Sequence, residues 1–180
     1  RDASDGSVMS TVSAMTQHSA SGIRFIAAPL RALPARRAIE EAAVVVVPAL
    51  ATSGVTVLAD IGRRHLGDVA PALLGSAATT LVVHRQHAAS AAAEAVRLER
   101  LVELVERLAA TAHTLSLAVV GADPFEPAEI AEHVDASVPG TLVDVITLAD
   151  DPLAAAVLAG RAGVATNRLR RPPLMRSAAS

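Results

Sequence analysis

The sequence predicts an α/β fold in which helices flank a mainly parallel sheet in three layers. Short runs rich in β-branched residues alternate with longer helical segments along the whole chain, the order that βαβ units produce. Polar or glycine residues follow several of these runs, as at the ends of parallel strands. The 180 residues are 52% hydrophobic with two Phe and no Tyr or Trp, so the core is expected to consist of Ala, Val, Leu and Ile.

The first part of the chain predicts a polar segment followed by a strand and a helix. Residues 1–22 are rich in Ser, Thr, Gly and Asp and are expected to be partly mobile, with at most one helical turn. The apolar run at 23–28, ended by Pro29, predicts a buried strand. Residues 34–50 have helical apolar spacing between a starting proline and Gly54, which favours a helix despite four consecutive valines.

The middle of the chain predicts two strands and a long helix. Residues 55–62 form the clearest strand, apolar up to Asp60, and 79–84 the next. A helix is predicted over about 88–112. Its expected buried stripe is Leu98, Leu101, Val102, Val105 and Leu108. Its expected solvated face carries charges of both signs: Glu94, Arg97, Glu99, Arg100, Glu103, Glu106 and Arg107.

The last part predicts two more strands, at 115–120 and 141–146, around a short helix at 126–134. Asp150-Asp151-Pro152 is expected to cap a helix over 153–158 that ends at Gly160. One α/β domain over 23–165, followed by a basic, proline-containing tail over 166–180, is the simplest organisation.

Composition excludes several classes of function. The absence of cysteine excludes disulfides, thiolate metal sites and cysteine nucleophiles. A net charge of −2 indicates no overall electrostatic attraction to nucleic acid or membrane. No apolar run is long enough to cross a bilayer, and the N-terminus lacks the apolar stretch of a signal peptide. A cytoplasmic protein is therefore expected.

Asp60 is the strongest candidate for chemistry. An apolar strand ending in Asp, with Gly62 two residues later, has the form of a Walker B strand, whose carboxylate can hold Mg²⁺ through water. Capping or loop hydrogen bonding is the alternative role for such an Asp. The glycine-rich loop with lysine that this site requires is absent, since all 16 basic residues are arginine.

Other polar residues have weaker signals. His84 and His87, with His65 as a third candidate, could ligate a metal, although polar residues at a strand end are the simpler interpretation. Ser90 lacks the glycines of a nucleophile elbow. Turn or capping roles account for Asp123, Asp150 and Asp151.

The basic tail carries four candidate partner-binding arginines. These side chains could contact acidic lipid, nucleic-acid phosphates or an acidic protein, and a solvated terminus is the alternative. They are Arg168, Arg170, Arg171 and Arg176.

In order and spacing, five segments resemble the C-terminal two-thirds of actinobacterial MinD/ParA-like ATPases, related to septum-site-determining and CpaE/TadZ-type proteins. The segment GVTVLADIGRR resembles the Walker B strand. The other four segments are GIRFIAAPL, LVVHRQHAASAAAEAVRL, LAVVGADPFEPAEIAEHVDASVPGTLVDVITLADDPLAAAVLAG and RLRRPPLMRSA. The resemblance spans residues 22–178 and implies a P-loop NTPase core that lacks its first strands.

The resemblance implies a switch in cell division, chromosome partitioning or polar localisation that dimerises around nucleotide. Asp60 would face Mg²⁺, with Gly62, Gly121 and Asp123 at the nucleotide site. ATP and Mg²⁺ would bind only if a P-loop upstream of residue 1 were supplied. The expected partners are a second copy or another protein, with peripheral membrane or nucleoid contact through the tail.

Two departures from the family leave an alternative function open. The chain has no P-loop, and Gly121 stands where the family has an asparagine for base recognition. The alternative is a degenerate, non-hydrolysing scaffold, and a weaker possibility is an unrelated α/β binding domain.

Overall fold

The computed structural model describes residues 2–19, 22–29, 31–52, 54–61, 71–86, 90–152 and 156. Its chain divides into two compact units, Arg1–Ala78 and Thr79–Ser180. Each unit is described by itself. The second unit contains a parallel sheet of three strands flanked by helices, which confirms the α/β class.

The first unit is mainly helical over its described residues. Helices α1 (Asp2–Met15) and α3 (Pro71–Ser76) both contact α2 (Ala32–Thr52). Small and aliphatic side chains form its buried positions: Ala35, Ala43, Ala49, Leu50 and Leu74. The prediction of a helix over 34–50 is confirmed, and the helix continues through Pro48.

A short antiparallel hairpin replaces the buried strand predicted at 23–28. It pairs β1 (Gln17–His18) with β2 (Arg24–Phe25), and both strands are exposed. Gly22 closes the turn with φ of 80°, and its N–H donates to the Ser19 carbonyl at 2.9 Å. The hairpin pairs only two residues on each strand, which leaves the rest of the 23–28 run without a strand partner among the described residues. The polar N-terminal loop was also a wrong prediction, because α1 occupies most of it.

No strand forms over the described residues 54–61, so the prediction of a strand at 55–62 is wrong for that range. Val55 and Val57 are exposed, and Leu58 is 93% exposed. A strand requires neighbours for its backbone N–H and C=O groups, which an apolar sequence alone does not supply. Gly62 lies outside the described residues.

The second unit follows the predicted βαβαβ order closely. Its strands are β3 (Thr80–Arg85), β4 (Leu115–Val120) and β5 (Leu142–Leu148), arranged in the order β3-β4-β5 with both pairs parallel. Helix α4 (Ala91–Ala109) connects β3 to β4, and α5 (Pro127–Ser137) connects β4 to β5. The central strand β4 is buried from Leu115 to Val119, as its apolar sequence predicts.

The two faces of this sheet differ in burial along the edge strand β3, whereas the central strand β4 is buried on both faces. Val82 and His84 share a face with Leu117 and Val119 by strand register, and all four are buried. The buried stripe of α4 confirms Leu98, Leu101, Val105 and Leu108, while Val102 is only half-buried. On the opposite face of the sheet, the edge residues Leu81 and Val83 are exposed.

Two further predictions have different outcomes. Glu94 was expected on the solvated face of α4, yet its side chain is only 1% exposed. The helix predicted at 153–158 lies mostly outside the described residues. In this part of the chain, the described residues Pro152 and Ala156 are helical.

Candidate functional site

The carboxyl edge of the three-stranded sheet brings polar residues of four chain segments together. Hydrogen bonds prolong the sheet beyond its strands: the Gln86 N–H donates to the Val120 carbonyl at 3.0 Å, and the Gly121 N–H to the Leu148 carbonyl at 2.9 Å. His84, Arg85 and Gln86 therefore stand beside the loops that follow β4 and β5. In open α/β sheets this edge is where ligands bind.

A buried His–Glu pair joins β3 to α4 at this edge. The Nε2 atom of His84 lies 2.7 Å from Oε1 of Glu94, and their side chains are 7% and 1% exposed. Arg97, one turn further along α4, donates from Nη1 to the other Glu94 oxygen at 3.2 Å. Burying a carboxylate is costly unless it is paired and hydrogen-bonded, and these two partners satisfy that condition.

Arg97 and Arg85 extend the network from the buried pair to the surface. Nη2 of Arg97 donates to the Arg85 carbonyl at 2.7 Å. The Arg85 guanidinium donates to the Asp150 carboxylate: Nη2 lies 2.9 Å from both oxygens, and Nε lies 3.3 Å from Oδ2. The two side chains are 49% and 40% exposed. The fork geometry fixes the loop after β5 against the end of β3.

Gln86 fastens the loop between β4 and α5. Its Nε2 donates to the carbonyls of Gly121 and Phe125, at 2.9 and 2.7 Å, and its Oε1 accepts the Phe125 N–H at 3.1 Å. A buried amide with three hydrogen bonds is a structural clamp. Gly121 has φ of 86° and so occupies a conformation that side-chain-bearing residues rarely adopt.

Side chains of the chain itself cap both helices that begin at this edge. Ser90 is the N-cap of α4, and its side chain accepts the Ala93 N–H at 3.1 Å. Glu126 and Glu129 form a capping box at the start of α5. Ser90 thus has a structural role as the cap of α4.

The structure does not bring the predicted nucleotide-site residues together within one unit. Asp60 is exposed and lies in the first unit, outside any strand. Gly121 and Asp123 lie in the second unit, in the loop after β4, where the Asp123–Pro124 peptide bond is cis. His65, His87 and the tail arginines Arg168, Arg170, Arg171 and Arg176 are outside the described residues, so their predicted roles stay predictions.

Sequence reasoning missed Glu94, Arg97 and Gln86 as members of the site. A signal for Glu94 was present, since it lies four residues before Leu98 and so continues the buried stripe of α4 toward its N-terminus. Nothing in the sequence indicated that Gln86 would reach the loop near Phe125, because 39 residues separate them.

The hydrogen bonds at this edge hold β3, α4 and the loops after β4 and β5 to one another, an arrangement suited to rigidity.

Among the residues that the structure describes, no group of three or more His, Asp or Glu side chains is placed to hold a metal ion. Over the same part of the chain, no helix combines the length and apolar character needed to span a membrane.

Comparison of the chain with protein-family models, curated proteins and solved structures finds no match.

Proposed function

We propose that this chain is a non-hydrolysing α/β interaction scaffold, a degenerate member of the MinD/ParA-like group. One observation carries the proposal: at the carboxyl edge of the sheet, where a nucleotide would be expected, the polar side chains bond to one another and to the backbone of the chain itself. The absence of lysine and the substitution by Gly121 support the same function.

The physical reason for expecting no nucleotide here is that the two arginines at this edge already donate to other groups of the chain. A phosphate site presents backbone N–H groups and cationic donors to its ligand. Here the Arg85 fork is bound to Asp150, while Arg97 serves Glu94 and the Arg85 carbonyl. A phosphate at this edge would compete with the Asp150 and Glu94 carboxylates for these two guanidinium groups, which lowers the free energy it could gain by binding.

Calorimetric titration with ATP and Mg²⁺ tests the proposal. The wild-type chain is expected to release no binding heat. Binding that Asp60→Ala abolishes, and that the matched variant Asp144→Ala on β5 preserves, would refute the non-hydrolysing scaffold. Binding by both variants would refute it as well and would assign the nucleotide to residues other than Asp60.

A second candidate function is an ATPase-type switch in cell division, chromosome partitioning or polar localisation. The exposed apolar side chains of Val55, Val57 and Leu58 favour it, since a strand-like sequence of this kind suits the interior of a larger, three-layer P-loop sheet. A glycine-rich loop with lysine would then have to come from a longer chain. Adding such an upstream segment and measuring Mg²⁺-dependent ATP hydrolysis tests this candidate, and no gain in hydrolysis would end it.

A further inference from the structure

Two backbone hydrogen bonds continue the sheet at its carboxyl edge, and different side chains secure each of them. The Gln86 N–H donates to the Val120 carbonyl at 3.0 Å and ties the end of β3 to β4. The Gly121 N–H donates to the Leu148 carbonyl at 2.9 Å and ties the end of β4 to β5. Because the two bonds are similar in length, a difference in how readily they open is expected to come from the side chains around them.

The buried Glu94 secures the end of β3. Its side chain is 1% exposed and bonds to both His84 and Arg97. Arg97 donates in turn to the backbone carbonyl of Arg85 at 2.7 Å, one residue before Gln86. Salt screens buried charges only slightly, and breaking such a pair leaves an uncompensated charge inside the protein. This junction is therefore expected to stay closed under native conditions.

An exposed ion pair secures the loop after β5. Nη2 of Arg85 donates to both carboxylate oxygens of Asp150, at 2.9 Å each, and the two side chains are 49% and 40% exposed. Asp150 lies two residues after Leu148, so the pair holds the segment whose carbonyl receives the Gly121 N–H. An exposed pair contributes little free energy and is weakened by salt, so this contact can open while the rest of the edge stays closed.

Asp150 also lies beside the backbone of Gly121. A Cβ atom placed on Gly121 would be 3.9 Å from the Asp150 Cβ atom. If Asp150 moved away, the Gly121 backbone and the Arg85 guanidinium would become more accessible together. Both stand at the edge where open α/β sheets bind ligands. The position of Asp150 is therefore that of a cover over part of this edge.

We propose that the Arg85–Asp150 pair is a salt-sensitive latch, whose opening releases the loop after β5 while the Glu94 network keeps β3, α4 and β4 together. The two contacts can separate because Arg97 bonds to the backbone carbonyl of Arg85 and not to its guanidinium. The Arg85 side chain can thus leave Asp150 without breaking the bond from Arg97. The latch goes beyond the scaffold function and does not depend on it, since it concerns the movement of the loop and not what binds there.

Hydrogen exchange of the wild-type chain in low and high salt tests the latch without any substitution. The exchange rate of the Gly121 amide is divided by that of the Gln86 amide, which corrects for the general effect of salt on exchange. Raising NaCl from roughly 0.01 to 1 M shortens the Debye length from about 30 to about 3 Å, so this ratio is expected to rise about threefold. The Phe125 amide, which bonds to Gln86, is expected to change no more than the Gln86 amide.

Substitutions at the latch provide a second, independent test. Arg85→Gln removes the charge but keeps the backbone carbonyl for Arg97, so the ratio is expected to be about threefold higher in low salt and to lose its dependence on salt. Arg107→Gln is the matched control, because it breaks another exposed ion pair, with Glu103 at 3.8 Å near the other end of α4. This control is expected to leave the ratio unchanged. Combining Arg85→Asp with Asp150→Arg exchanges the two charges and is expected to bring the ratio back toward its wild-type value.

Three results would overturn the proposal. A ratio that neither salt nor Arg85→Gln changes would show that the pair does not hold the loop. Equal increases at Gly121 and Gln86 would show that the edge opens as one unit and that the buried network gives no separate protection. An increase of the same size in Arg107→Gln would assign the effect to net charge instead of to the latch. The wild-type salt series decides the question even where a variant fails to fold, which circular dichroism would detect.

Discussion

His84 is the last residue but one of β3, and its Nε2 atom lies 2.7 Å from Oε1 of Glu94 in the first turn of α4. The pair is buried and joins a strand to the helix that covers it. Arg97 completes the pair by binding the second Glu94 oxygen. Removing either side chain would leave the other one buried and missing this hydrogen bond. The pair is therefore expected to stabilise the fold.

Glu94→Gln is expected to lower the free energy of unfolding by about 2–4 kcal/mol, because it removes the charge that His84 and Arg97 both engage. Urea denaturation followed by circular dichroism measures this change. The control is Glu99→Gln on the same helix, at an exposed glutamate beside His133, with an expected change within about 0.5 kcal/mol. Equal effects of the two substitutions would contradict a stabilising role for the buried pair.

Gln86→Ala is expected to cost about 1–3 kcal/mol and to loosen the loop before α5, since three hydrogen bonds to Gly121 and Phe125 are lost. Hydrogen exchange at the Phe125 amide is the most direct measurement, because that N–H bonds to Gln86. The exposed Gln17 of β1 provides the control substitution. Unchanged protection of the Phe125 amide in Gln86→Ala would show that the clamp is not required.

Val105→Ala is expected to destabilise the chain by about 2 kcal/mol through lost apolar burial and a cavity under α4. Val105 is fully buried, whereas Val96 on the same helix is 57% exposed. Val96→Ala is expected to be neutral or slightly stabilising, because alanine has the higher helix propensity. The difference between the two midpoints of urea unfolding is the measurement, and a difference near zero would argue against the packing of α4 on the sheet.

Ser90→Ala is expected to cost about 1 kcal/mol by removing the acceptor for the Ala93 N–H at the start of α4. Ser90→Asp keeps an acceptor and adds a favourable charge at the helix N-terminus, so its stability should equal or exceed that of the wild type. The thermal midpoints of the three proteins decide between capping and an incidental contact. A loss of similar size in both variants would count against capping.

The order of elements in the second unit could be predicted from sequence because its signals are local. The apolar run of β4 and the heptad-like stripe of α4 are both visible in the sequence. The predicted boundaries fall within three residues of the observed ones for β3, β4, β5, α4 and α5. By contrast, the run ending at Asp60 has equally strong strand character and forms no strand over 55–61.

The site was less accessible to sequence reasoning. His84 was identified as a polar residue at a strand end, and Asp150 as a turn residue, but their partners were not predicted. Glu94 was assigned to solvent because charged residues on a helix usually face water. Its burial depends on His84 standing opposite it, which no helical periodicity describes.

The sequence by itself determined the α/β class, the helical stripe of α4, the exclusion of cysteine chemistry and the absence of a lysine-bearing P-loop. These features follow from residue identity and from spacing within one element. Only the tertiary structure decided that Glu94 is buried, that Gln86 clamps the loop at Phe125, and that β3 is an edge strand among the residues that the structure describes. Each of these depends on contacts between residues far apart in sequence, where backbone and side-chain hydrogen bonds are satisfied by whichever segment folding brings alongside.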